Sequence, residues 1–237
     1  MPGQADLHIH TCFSDGWPTP TDLVEHVRFR TTLDVIAVTD HDTIEGALRA
    51  REYAASVGGP HVVVGEEVSS RHGHILGLYL TRSVRPWMSA AATVGAIHDQ
   101  GALAFAAHPF WRPERSHRPR RHVHGVGWLA AQLPLDGIEV ENSTPGLGFA
   151  NRLARSFNES AGMAEVGGSD AHILDAVGRA YTAFSGRTPE SLRAALEGAE
   201  TKARRRRYDP LALARYAAWG FNHQRTPQRL PEAGAHR

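Results

Sequence analysis

The segment Asp6-Leu7-His8-Ile9-His10 places two imidazoles two residues apart. In an extended strand such residues project to the same face. His8 and His10 can therefore offer two nitrogens to one divalent ion, although solvated or hydrogen-bonded histidine pairs share the pattern. Gly167-Gly168-Ser169-Asp170-Ala171-His172 repeats the spacing with a carboxylate and an imidazole, donors that suit Mn2+, Fe2+ or Zn2+. Ser169 or Asp170 would serve equally as a helix cap. Thr39-Asp40-His41-Asp42 follows an apolar run, where parallel α/β proteins carry ligands, or else forms a turn capped by Asp42 or Thr43. Gly65-Glu66-Glu67-Val68-Ser69 sets two acids in an apolar strand, and a buried carboxylate is costly unless paired or metal-bound. One of the two can face solvent or a helix edge, so only one needs a partner. His74 opens the next strand, and Ala107-His108-Pro109 closes the one after it.

Strands are expected at Ala5–His10, Asp34–Thr39, His61–Val68, His74–Leu80, Ala102–Ala107, Gly137–Val140 and Ala164–Gly168. Several are β-branched runs bounded by Gly, Pro or Asp, as strands buried on both faces should be. Helical patterns lie between them at Asp22–Arg30, Glu45–Ser56, Pro86–Gln100 and Leu147–Ala161, with another beginning at the Thr188-Pro189 cap. Strand–helix alternation over about seven units predicts a mostly parallel sheet with crossover helices, open or closed into a barrel. Parallel strands bring their ends to one face. Six of them deliver His, Asp or Glu there, which makes the separate motifs one expected multinuclear metal site.

Bulk properties are compatible with this. The 237 residues fit one large α/β domain, and 15 of them are histidine. A net charge of +1 gives no bulk argument for nucleic acid or membrane. The single cysteine, Cys12, allows no internal disulfide and fits a reducing compartment. No apolar run approaches the roughly 20 residues of a membrane span, and Met1 to Ile9 has no signal-peptide pattern. A cytoplasmic protein with no membrane partner is expected.

The ordered motifs Asp-Leu-His-Ile-His-Thr…Ser-Asp-Gly, Thr-Asp-His-Asp, Gly-Glu-Glu-Val-Ser, His-Ile-Leu-Gly, Ala-His-Pro and Gly-Ser-Asp-Ala-His resemble the PHP (polymerase and histidinol phosphatase) family. The resemblance runs from about Asp6 to Leu196. It implies an α/β fold, a distorted (β/α)7 TIM-like barrel. It also implies up to three divalent ions (Mn2+, Fe2+ or Fe3+, or Zn2+). His8, His10, Glu67 and Asp170 would hold the first, with Glu67 rather than Glu66 bridging to a second completed by His74 and His108. Asp15, His41 and His172 would hold the third, and aspartate at position 15 favours Mn2+ or Fe over an all-histidine Zn2+ site. About 27 residues separate Leu80 from His108, too few for the insertion domain of some nucleotide-processing relatives. The Gly-Ile-Glu-Val-Glu-Asn segment and the region around His108 resemble a compact single-domain subgroup. Residues 1–200 are expected to form this domain, and 201–237 a basic C-terminal extension that is partly disordered.

The implied activity is hydrolysis of a phosphate monoester or diester, nucleotide or RNA end included, by hydroxide shared between metals about 3.5–4 Å apart. Asp15, His41, Asp170 and His172 are the expected catalytic groups. Arg112, Arg115 and Arg179 are the expected phosphate-binding residues, with Arg118, Arg120 and Arg121 on the same loop as the first two. Asp40 and Asp42 would orient metal-bound histidines, Asp42 equally well capping a helix. Glu139, Glu141 and Asn142 would line the pocket, either glutamate alternatively supporting a ligand histidine. Cys12 is expected as a packing thiol, and Trp111 and Trp128 as packing residues or base-stacking surfaces. Arg204–Arg207 reads as a solvated face or a helix end rather than an RNA contact. The expected partner is a small phosphorylated molecule. Two other classes stay open: hydrolysis of amide bonds by similar barrel metals, and a non-catalytic PHP domain that binds without turnover.

Overall fold

The computed structural model describes residues 2–113 and 123–223. Among these residues nine strands form one sheet in the order β7-β6-β5-β4-β3-β2-β1-β8-β9. They are β1 (Gly3–Asp6), β2 (Val35–Val38), β3 (His61–Ser70), β4 (Gly73–Leu78), β5 (Leu103–Ala106), β6 (Gly137–Asn142), β7 (Ala164–Gly168), β8 (Ala180–Phe184) and β9 (Lys202–Arg205). Six α-helices accompany them among the described residues: α1 (Pro20–Arg30), α2 (Glu45–Val57), α3 (Ala90–His98), α4 (Gly148–Ala161), α5 (Pro189–Glu197) and α6 (Pro210–His223). The architecture is α/β with a nearly closed barrel-shaped sheet.

The sheet is mixed rather than mostly parallel. β1–β2, β2–β3, β5–β6 and β6–β7 pair in parallel, whereas β3–β4, β4–β5, β1–β8 and β8–β9 pair antiparallel. The cause lies at Arg71 and His72, which join β3 to β4 directly. A hairpin connection of that length cannot make a parallel crossover. The reversal serves the site, because it pairs His74 with Ser69 at the carboxyl end of β3. β4 thus delivers a side chain from its start to the barrel end where parallel strands deliver theirs from their finish.

Alternation along the strands divides the apolar residues between two cores. Val35 and Ala37 of β2 join Ala5, Leu7, Leu76, Leu78, Phe105 and Val166 in one cluster, closed by Leu192, Ala195 and Leu196 of α5. Ile36 and Val38 face the other way, with Leu23, Val24 and Val27 of α1, Ala47, Ala50 and Ala54 of α2, and Val94 and Ile97 of α3. The helices begin where capping chemistry allows. Thr19 and Asp22 form a capping box with Pro20 in the first turn, so α1 starts before the expected Asp22. α3 starts later than the expected Pro86, because the Ser89 side chain accepts from Ala92 N–H and fixes the first turn there.

The barrel closes through side chains and one bridge instead of a full ladder. Past Asp6 the expected strand gives way to extended chain: Ile9 pairs with Ala171, and Thr39 N–H donates to Ile9 O. Asp6 accepts from Ser169 N–H at 2.9 Å and Gly178 N–H at 2.7 Å, tying β1 to the segments after β7. Thr182 of β8 bonds Gly167 at both its N–H and its carbonyl. A Cβ on Gly168 would meet His8 Cβ at 2.5 Å, so glycine is what allows β7 to lie this close to the first metal-binding motif.

Residues beyond 200 continue the sheet. Arg204 and Arg205 belong to edge strand β9, not to a helix end. Arg205 pairs with Glu141, while Arg206 bonds Gln4 and Thr32. Charged side chains are what an edge strand can carry into solvent. The expected disorder of the last residues falls on 224–237, outside the described residues. Among the described residues no helix is long and apolar enough to cross a membrane.

Glu66 corrects the expectation that one acid of the pair could face solvent. It is fully buried on the side away from Glu67, accepting from Ser83 Oγ at 2.7 Å and Val84 N–H at 2.8 Å. Burial pushes its carboxyl up to about 7 from 4.5. The protonated form is the one the fold favours, so this contribution to stability is present below about pH 4.5 and lost as pH climbs through about 7. Glu66→Gln should therefore stabilise the metal-free protein at pH 8, by about 1–3 kcal/mol, and not at pH 4. Thermal melts at the two pH values check this; an equal shift at both would contradict it.

Candidate metal centre

Glu67 sits in β3 with neighbours at both carboxylate oxygens. Oε2 lies 3.2 Å from His8 Nε2, 3.3 Å from His10 Nε2 and 3.4 Å from His41 Nδ1. Oε1 lies 2.8 Å from His74 Nδ1 and 2.9 Å from His108 Nε2. One buried carboxylate thus faces two separate groups of imidazoles. Asp170 Oδ1 approaches His10 Nε2 at 3.2 Å and His8 Nε2 at 3.5 Å. Asp15 Oδ1 lies 3.1 Å from His172 Nε2 and 3.5 Å from His10 Nδ1, with Oδ2 3.8 Å from His41 Nε2.

Three groups have ligand atoms mutually within 4.8 Å: His8, His10, Glu67 and Asp170; His10, Asp15 and His41; and His41, Glu67 and His74. These groups hold seven of the nine expected ligand residues, and His108 and His172 adjoin them through Glu67 and Asp15. The groups overlap more than the three separate expected sets, His10 and His41 standing between neighbours. Of the adjacent acids, Glu67 faces the histidines and Glu66 does not.

The surrounding residues fix ring orientation. Glu139 Oε1 lies 3.0 Å from His8 Nδ1, and Glu139 Oε2 accepts from His108 N–H at 2.7 Å. With Nδ1–H donating to Glu139, the His8 Nε2 lone pair is left facing Glu67 and Asp170. His172 Nδ1 lies 2.9 Å from Asp170 O, which likewise leaves Nε2 for Asp15. Asn142 Nδ2 and Thr144 Oγ1 both donate to Asp170 Oδ2 at 3.1 Å, reserving Oδ1 for the histidines. Asp170 and His108 hold left-handed backbone, φ 53° and 25°. Strain of this kind persists only where the surroundings enforce it, and Asp170 N–H donates to His8 O at 2.8 Å.

Several residues do other work than expected. Asp40 contacts no ligand histidine; it accepts from Thr11 N–H, Thr11 Oγ1 and Ser14 Oγ, fixing the turn that presents Asp15. Asp42 accepts from Ser69 N–H and so aligns β3. Glu141 faces Arg155, Arg205 and Asn151. Arg179 is spent on the chain leading into α6, donating to Asp175 O, Arg207 O and Asp209 Oδ2. Its guanidinium is therefore not presented to the cluster as a phosphate partner. Arg112 is exposed and lies 5.5 Å over the Trp111 ring, which meets the His108 ring edge-on at 5.4 Å. Arg115, Arg118, Arg120 and Arg121 lie outside the described residues. Cys12 is half-buried, and burial raises its thiol. Trp128 is exposed against Phe110 and Phe157.

Two aromatic neighbours were not foreseen. His124 lies 5.4 Å from the His74 ring and 4.5 Å from Trp111. Trp219 of α6 lies 4.3 Å from the His172 ring. The available signal was the helical spacing of Ala212, Tyr216 and Trp219 in a segment read as a tail.

Burial and charge oppose each other throughout the cluster. Burial disfavours the charge of Glu67 and Asp170, yet the surrounding imidazoles hold both carboxyls well below the usual range. Burial likewise opposes protonation of His10, but Asp170, Glu67 and Asp15 raise it to about 10. At His41 burial wins and lowers it to about 4. Four imidazole nitrogens are buried without a hydrogen-bond partner: His8 Nε2, His10 Nε2, His41 Nδ1 and His108 Nδ1. Three of them stand near carboxylate oxygens without hydrogen-bond alignment, the arrangement of groups converging on a shared cation. The donor set, imidazoles and carboxylates, fits a divalent ion. Metal uptake should release protons and tighten as pH rises from about 6 to about 8, because each nitrogen must shed its proton to coordinate. Calorimetry in buffers of different ionisation enthalpy reads the released protons; uptake with none would contradict this electrostatic account.

Comparison with known proteins agrees with the geometry. Residues 148–201 match the PHP-associated family model. The chain is 31% identical over 162 residues to an uncharacterized protein of Methanocaldococcus jannaschii, covering 64% of this chain and 88% of that one. It is 40% identical over 142 residues to a phosphoribosyl 1,2-cyclic phosphate 1,2-diphosphodiesterase of Eggerthella lenta, covering 57% of this chain and 44% of that enzyme. Its fold is similar to a two-domain Bacteroides vulgatus protein containing a predicted PHP-like metal-dependent phosphoesterase, with TM-score 0.68 and 23% identity. That match covers 86% of this chain and 65% of the other. Barrel, donor cluster and kinship converge, and the chain belongs to the PHP family.

Proposed function

We propose that the protein hydrolyses a phosphate ester at a multinuclear metal site. The observation that carries this reading is Glu67, whose two oxygens face separate imidazole groups at 2.8–3.4 Å. A single carboxylate so placed can bridge two cations, and Asp15, His41 and His172 offer donors for a third. The oxygen-rich side at Asp15 favours Mn2+ or Fe over Zn2+. Bound divalent ions would supply Lewis acidity toward phosphate oxygens and acidify a water near neutral pH.

The chain's own residues define where substrate meets the site. His8, His10, Glu67 and Asp170 are sealed from solvent, whereas His41, Asp15 and His74 are 29%, 17% and 14% exposed. Substrate therefore approaches across Asp15, His41 and His74. In this reading Asp170 and His172 hold the far wall through Asn142, Thr144 and the Asp170 carbonyl. Arg112, on the Trp111 ring beside His108, is the described cation best placed to meet a phosphate oxygen. Arg115 is proposed from the sequence alone. The diesterase relative and the phosphoesterase-like neighbour support phosphate as the class, with monoester, diester and nucleotide all within the proposal.

The test is phosphate release by Mn2+-loaded protein on nucleoside monophosphates, 3′,5′-bisphosphates, short RNA, histidinol phosphate and generic mono- and diesters. Asp170→Ala should lower kcat by about a thousandfold or more, a loss of about 4 kcal/mol of transition-state stabilisation. Fully loaded wild-type protein inert on every class would count against the proposal. Arg112→Ala should raise KM several-fold, about 1 kcal/mol, with kcat less affected. An unchanged KM would remove Arg112 from the phosphate site.

A further inference from the structure

The matched family segment ends at residue 201, yet α6, beyond it, reaches the metal cluster. Ala212, Tyr216 and Trp219 recur at i, i+4 and i+7, one stripe of a helix. Ala212 and Tyr216 are buried. Three polar contacts hold the helix down: Asp209 to Arg179, Arg215 to Asp175, and Tyr216 Oη to Thr144 Oγ1. The last joins α6 to the site directly, since the same Thr144 hydroxyl donates to Asp170 Oδ2. One turn further, the Trp219 ring lies 4.3 Å from the His172 ring, and Trp219 Nε1 donates to Asp15 O at 3.2 Å.

Trp219 therefore touches both residues that meet at 3.1 Å, buried His172 and the partly exposed Asp15. They come from distant parts of the chain, Asp15 on a turn and His172 on the segment after β7. The indole spans them from outside the cluster, while the His10 ring stacks on His172 at 4.3 Å and faces Asp15 from within it, and Trp17 N–H donates to His172 O. We propose that Trp219 is a positioning residue for the third metal. Its ring sets the His172 plane and its N–H holds the Asp15 backbone, so loading of the ion between Asp15, His41 and His172 depends on α6. The inference rests on the multinuclear reading above. It makes the segment after residue 201 part of the active site.

The experiment is Mn2+ binding by the full-length chain, with stoichiometry from equilibrium dialysis and indole fluorescence followed along the titration. Wild type should bind three equivalents, the weakest accompanied by a change in emission. Trp219→Ala should weaken that equivalent about tenfold or more and leave the other two unchanged, as loss of a ligand-orienting partner does. Trp219→Phe keeps a ring beside His172 and lacks the N–H; it should weaken the same equivalent several-fold and abolish the emission change. If Trp219→Ala does not fold, Trp219→Phe decides alone. Three equivalents at wild-type affinity in the folded variants would overturn this inference and leave the multinuclear reading standing. Fewer than three in wild type would overturn the third site itself, and this inference with it.

Discussion

The constraint on which the structure depends is the electrostatic cost of Glu67. A carboxylate taken out of water without partners costs several kcal/mol, and this one is 1% exposed in the middle of a strand. Five histidines from four segments converge on its two oxygens at 2.8–3.4 Å. No local element can assemble them. Only a closed or nearly closed sheet brings residues 8, 41, 74 and 108 to one point, so solvating Glu67 and closing the barrel are the same requirement.

The closure reflects this. Where β7 approaches β1, regular pairing is replaced by side-chain bonds from Asp6 and Thr182, a single bridge at Ile9 and Ala171, and glycine at position 168. A continuous ladder would have held the strands in plain β geometry. The looser seam lets the chain after Asp6 and the left-handed turn at Asp170 point donors inward. Several of these donors are then fixed by a neighbour outside the cluster. Glu139 holds His8, Asn142 and Thr144 hold Asp170, and Asp40 holds the turn that carries Asp15. Buried polar groups of this density specify geometry only when every member is satisfied. The unpaired nitrogens of His8, His10 and His41, each beside a carboxylate oxygen, are the places at which a cation would complete the network.

The two edges of the site are made differently. On one side Trp111, His124 and Arg112 stand beside His74 and His108, on the chain that follows β5. On the other, α6 lays Trp219 against His172, a packed helix held by ion pairs and Tyr216. The partly exposed Asp15, His41 and His74 lie between an aromatic shelf and an aromatic strut.

The donor residues were legible in the sequence because their spacing is local. Two residues apart in extended chain means one face at His8 and His10, whereas Asp170 and His172 share the spacing but reach the cluster through a left-handed turn. Strand and helix positions were legible for the same reason, since burial on two faces and on one stripe leave different periods. The β3–β4 reversal was not, because a short turn between two apolar runs does not announce the direction of the next strand. Edge strand β9 was hidden by its own charges, and α6 by standing outside the strand–helix rhythm. The sequence by itself determined which side chains can bind metal and that they lie near strand ends. Only the tertiary structure decided that Glu67 faces two groups while Glu66 turns away, that Asp40 serves a turn, and that Arg179 is spent on the α6 connection. The physical reason is that local spacing sets which face a side chain takes, whereas its partners are set by long-range packing and by the cost of leaving a buried charge alone.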